Sequence, residues 1–170
     1  MRVAVIIAVL LTAQSLLAEQ VCFEDIAAST PLSDFEVLPD GLVHQRSTGL
    51  IWQRCLYGQN WSQAQQRCEG TAVRLSWQEA LQQSTMLADY SQHWRLPDIK
   101  EAMAIVERRC VDPALRRTLF AGANSEHIWT NTSIHSRPTH AWAIAMYSGK
   151  NNYKEKNQQL YVRFVRFSDE

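Results

Sequence analysis

Eight residues, Trp94-Arg95-Leu96-Pro97-Asp98-Ile99-Lys100-Glu101, constrain this chain more than any other stretch, because they compress an aromatic strand end, a proline and a capped helix start. Asp98 at the N-cap with Glu101 three residues later forms a reciprocal capping box, in which each side chain accepts a backbone N–H otherwise orphaned by the first helical turn. A helix therefore starts here, and Ile99, Ala102, Met103, Val106 and Cys110 give it one buried face. Ser76 and Glu79 make a second capping box, opening a helix to about Ala88 that buries Trp77, Ala80, Leu81, Ser84, Leu87 and Ala88. Asp112-Pro113 reads as an N-cap followed by proline at the first helical position, which predicts a short third helix to about Phe120.

The remaining pattern is β. Residues 41–45 and 49–54 are β-prone runs separated by the turn chemistry of Arg46-Ser47-Thr48-Gly49, so they read as a hairpin with Leu50 and Trp52 on one face. His127 to Thr132, Ala141 to Tyr147 and Leu160 to Phe167 read as strands, and Ser148 to Asn157 as a polar, lysine-rich loop. A hairpin, two helices and a run of strands make an α+β order. Glu19 to about Pro39 shows no periodicity and is expected to be an extended arm.

Met1 and Arg2 precede an apolar run from Val3 to Leu11 and a small-residue exit at Ala13, Ser15 and Ala18, the layout of a secretory signal peptide cleaved after Ala18. The run is well short of the roughly 20 residues a membrane-spanning helix needs. Cleavage would leave about 150 residues, one ordinary domain, and a periplasmic or secreted protein with no membrane association. The 17 basic residues less Arg2 leave 16 against 17 acidic, a balance that argues against nucleic acid. Four cysteines in an exported chain are read as two disulfides, since no C-x-x-C suggests zinc. Of three possible connectivities we expect Cys55–Cys68, closing a short loop around Trp61, and Cys22–Cys110, tying the arm to the body.

Taken with Thr48-Gly49-Leu50-Ile51-Trp52-Gln53-Arg54-Cys55 and Tyr161-Val162-Arg163-Phe164-Val165-Arg166, the Trp94 to Glu101 segment resembles the bacterial Lcl C-terminal domain family, named for a Legionella collagen-like adhesin. The resemblance covers about residues 41 to 167. With the leader at 1–18 and the arm at 19–39 read from the sequence itself, the resemblance places the domain at 40–170. It implies a C-type lectin-like α+β fold, in which the first and last strands pair and two helices flank a twisted antiparallel sheet. It also implies binding of an extracellular glycan or polyanionic polysaccharide. The adhesin's collagen tract is missing, since there is no Gly-x-y repeat.

No residue set points to catalysis: there is no G-x-S-x-G, no cysteine follows Cys110, and His127, His135 and His140 lack metal-site spacing. We therefore expect neither enzyme activity, cofactor nor metal. Calcium needs six to eight oxygen ligands, and the loop after Trp129 offers only Glu126 nearby. Most of the six tryptophans belong in a core, with Trp61 and Trp129 the candidates for exposed sugar-stacking rings. The expected ligand face joins the loops Ser133 to Thr139 and Ser148 to Asn157, with Trp129, Arg137, Lys150 and Lys154 as contacts. The rival expectation is an assembly partner in a pilus or envelope complex.

Overall fold

The computed structural model describes residues 19–87 and 93–168; the expected signal peptide and the end of the first helix past Leu87 lie outside them. Among the described residues the chain is mostly β, with strands of two to seven residues in four sheets. One four-stranded sheet runs β13-β4-β3-β2, formed by β2 (Phe35–Leu38), β3 (Leu42–Gln45), β4 (Leu50–Gln53) and β13 (Val165–Phe167), all antiparallel. The expected hairpin is β3–β4, and Gly49 at its turn has φ +68°, a conformation that favours glycine. The five-stranded sheet runs β11-β10-β9-β12-β7, from β7 (Arg74–Leu75), β9 (His127–Ser133), β10 (His140–Ala145), β11 (Lys150–Glu155) and β12 (Leu160–Tyr161). Two small ribbons complete the set: β1 (Val21–Cys22) with β8 (Cys110–Val111), and β5 (Asn60–Ser62) with β6 (Arg67–Glu69).

The expected lectin-like arrangement is not what the chain adopts. The first strand pairs with β8 and the last with β4, so first and last strands do not meet. Two flanking helices are not present either: α1 (Trp77–Leu87) is the one helix of ordinary length among the described residues, and α2 (Ile99–Ala104) has only six residues. The Asp98/Glu101 box forms with both of its reciprocal bonds, but Ile105 caps the helix through its N–H to Met103 O, well before Cys110. Cys110 is drawn instead into β8, paired residue for residue with Cys22 and joined to it by a disulfide. The predicted third helix fails for a related reason. Asp112 sits at φ +52°, not in the extended backbone an N-cap requires, and the N–H groups of Asp112 and Ala114 donate to Tyr147 O and Met146 O, which ties the segment to the end of β10.

Two hydrophobic clusters lie on opposite sides of β4. Leu50 and Trp52 enter one with Phe120, Ile105 and Ile144; Ile51 enters the other with Trp94, Leu96, Trp129 and Phe164. That is the alternation a strand buried on both faces requires. The Trp94 to Glu101 segment joins the sheets: Arg95 exchanges backbone bonds with Val165, Pro97 O accepts from Asn131 N, and Ile99 N donates to Thr132 Oγ1. Arg95 also grips Glu101 through two 2.7 Å bonds, fixing the helix start to the strand before it. Between β12 and β13 the chain crosses from one sheet to the other at buried Arg163, whose guanidinium donates to Gln53 O at 2.6 Å. Burial lowers the Arg163 pKa to about 9, which still leaves it a cation at neutral pH.

Candidate functional site

The residues expected to contact a ligand do not converge. Trp129 has 0% exposure and its indole N–H donates to Leu75 O, so no sugar can stack on that ring. Its neighbours are also structural: Thr130 Oγ1 donates to Trp142 O, and Thr130 O accepts the Trp77 indole N–H. These bonds fall where β9 bulges against β10, between Ala141 and Ala143. Ser148 to Asn157 is not a loop but largely strand β11. Lys150 and Lys154 therefore stand about 13 Å apart along one face at the usual rise per residue. Tyr153 is on the other face, opposite Trp142, and Arg137 lies over the Tyr153 ring at 4.6 Å. The sheet separates Arg137 from both lysines.

The three histidines are dispersed as well. His140 meets Tyr153 edge-on and His127 meets Tyr147 edge-on, each with ring centroids under 6 Å apart. Burial lowers the His127 pKa, with Lys154 adding to the effect and Glu126 opposing it. Among the described residues no group of three or more His, Cys, Asp or Glu could hold a metal ion.

What the fold does assemble is a cleft of about 520 Å³ around Trp61, within the size range of small-ligand sites. Its polar lining comes from Asp40, Gln53, Tyr57, Gln59 and Asn60, over an apolar floor that includes Leu42 and Leu75. These residues come from segments scattered over the sequence, and two local constraints hold them in place. The Cys55–Cys68 disulfide forms as expected, and Cys68 pairs with Trp61 across the β5–β6 ribbon, which anchors the ring-bearing strand to the body. Asp40 (φ +59°) and Gly41 (φ +72°) are both left-handed. A Cβ on Gly41 would fall 2.4 Å from Trp61 Cβ, so only glycine permits this approach.

Each side chain in the cleft has a different freedom. Trp61 is partly exposed, its N–H donates to Gln63 Oε1, and the Arg54 guanidinium stacks 4.1 Å from its ring centroid. Arg54 itself is buried and donates from Nε to Leu119 O and from Nη2 to Thr118 O, both at 2.8 Å; burial lowers its pKa. Tyr57 donates to Gln83 on α1 and packs edge-on against Phe164. Gln59 accepts the Leu56 N–H. Asp40 and Asn60 are exposed. The arrangement can offer a partly open indole, amides and one carboxylate to a ligand rich in hydroxyls. The place of Trp61 beside a loop marks it as a candidate exposed ring, but nothing in the local sequence links it to Asp40 or Gln53.

The family model described as the Lcl C-terminal domain matches residues 41–166, which take in the five-stranded sheet and the lining of the cleft except Asp40, and leave β2 and the last residue of β13 outside. No curated protein and no solved structure matches the chain.

Proposed function

The chain belongs to the Lcl C-terminal domain family, and from that premise we propose that it is an exported, non-enzymatic binding module for an extracellular glycan. The observation that carries the reading is the Trp61 cleft, where a partly open aromatic ring meets amide groups and a carboxylate that can exchange hydrogen bonds with sugar hydroxyls. Export is supported by the two disulfides and by the leader-like residues before Glu19. A glycan array probed with the full chain, expressed with its leader so that export can process it, tests the reading. Binding that Trp61→Ala removes while the melting temperature holds is the expected result. An empty array, or binding indifferent to Trp61, refutes it.

A second reading, an assembly partner in the cell envelope, draws on one observation. The arm leaves Val21, Phe23, Ile26 and Leu32 about half exposed, although polar bonds from Gln20, Ser29 and Thr30 fasten it to the body. Such side chains suit a protein contact better than solvent. Co-purification of a specific envelope protein that is lost on changing Phe23 and Ile26 to serine, together with an empty array, would favour this reading.

A further inference from the structure

We infer that the Trp61 cleft selects uncharged sugars bearing adjacent hydroxyls, that Asp40 is the residue which grips them, and that the same carboxylate turns away sulfated and uronic-acid chains. This rests on the glycan reading and adds the ligand's charge class to it. Asp40 is the single ionised side chain among the described residues lining the cleft. Arg54, which stacks on Trp61, is withdrawn: it is buried and donates to two carbonyls, while Arg74, between the lining residues Val73 and Leu75, pairs with Glu126. An anion entering the cleft therefore meets a carboxylate and no cation. The cations that would suit a polyanion are elsewhere and apart, Arg137 on one face of the β10–β11 hairpin and Lys150 and Lys154 on the other.

Asp40 is presented rather than spent. It is exposed, and among the described residues it makes no ion pair. A non-glycine residue at φ +59° is held there by its surroundings, and here the constraint is the turn that lets Gly41 press against Trp61. That turn puts Asp40 among the residues lining the cleft, where a carboxylate can accept from two neighbouring hydroxyls. Gln53, Gln59 and Asn60 supply neutral amide partners for the remaining hydroxyls, and Trp61 the apolar contact for a ring face.

The test compares binding of the full exported chain to cellohexaose, laminarihexaose and mannohexaose with binding to heparin and polygalacturonate, in wild type, Asp40→Asn and Trp61→Ala. Asparagine tolerates the left-handed backbone, so Asp40→Asn removes the charge without disturbing the turn. The expected result is a neutral probe bound in a salt-insensitive way, weakened about tenfold by Asp40→Asn, since charge-assisted hydrogen bonds are about twice as strong as neutral ones. Wild type should ignore both polyanions. Preference for heparin or polygalacturonate, or neutral binding untouched by Asp40→Asn, overturns the charge assignment while leaving the cleft reading intact if Trp61→Ala still abolishes binding. No binding to any probe, or binding indifferent to Trp61→Ala, overturns both.

Discussion

Replacing Glu107 with glutamine should remove about 3 kcal/mol of stability at neutral pH and make the loss pH-dependent. Glu107 has 0% exposure, yet its carboxylate is surrounded by donors: Ser29 N at 3.0 Å, the Thr30 hydroxyl at 2.8 Å, Arg109 N at 3.4 Å and the Arg116 guanidinium at 3.2 Å. Burial alone would push its pKa up, but the hydrogen bonds from Ser29, Thr30 and Arg109 together outweigh burial and lower it from 4.5 to about 2. At roughly 1.4 kcal/mol per pH unit, that difference corresponds to about 3 kcal/mol favouring the ionised carboxylate in the folded state. The folded pKa lies below the unfolded one, so this stabilisation is complete above the unfolded value and is lost as pH falls toward 2. Glutamine keeps the shape but leaves Arg116 without its countercharge. Urea unfolding from pH 7 down to 2 should show wild type and variant separated by about 3 kcal/mol at pH 7, a gap that narrows steadily below pH 4. Amide exchange at Ser29 and Thr30 should speed up in the variant, because Glu107 fastens the arm there. A gap under about 1 kcal/mol at pH 7, or one that stays constant into acid, would refute the reasoning.

Three further outcomes are expected. Asp98→Ala loses the N-cap of α2 and should cost about 1 kcal/mol, read as a drop of about 2 to 4 °C in melting temperature, with glycan binding unchanged. Non-reducing digestion and mass spectrometry should recover Cys55 joined to Cys68 and Cys22 joined to Cys110, with no alkylated thiol; changing Cys55 and Cys68 together to alanine should cost about 2 to 4 kcal/mol and weaken binding by loosening the Trp61 ribbon. In an NMR titration His127 should protonate below the ordinary histidine range, since burial and Lys154 both disfavour its cation; folding stability should correspondingly fall as pH drops through that range, and a titration at or above it would contradict the burial.

Signals that act between near neighbours are legible in the sequence. The Asp98/Glu101 and Ser76/Glu79 boxes, the turn at Arg46 to Gly49 and the alternation of Leu50, Ile51 and Trp52 depend on residues a few positions apart, and each is present in the fold. The disulfide pairing expected among the three connectivities the cysteine positions allow, one short loop and one long tie, also forms. Competing acceptors and distant partners govern the rest. Helix α2 stops at Ala104 and Cys110 goes to β8 beside Cys22, while residues 112–120 depart from the helical pattern at Asp112, which is left-handed and bonded with Ala114 to the carbonyls of Tyr147 and Met146. The polar residues 150–155 become an edge strand because β10 presents a free ladder, which no composition rule could announce. Trp129 and Trp61 both border loops in the sequence, yet one indole is sealed against Leu75 O while the other is left partly open beside Asp40. Local sequence sets where elements begin and which side chains are apolar; the packing of remote segments selects which aromatic ring faces solvent, because exposure is a property of what else arrives at the same place.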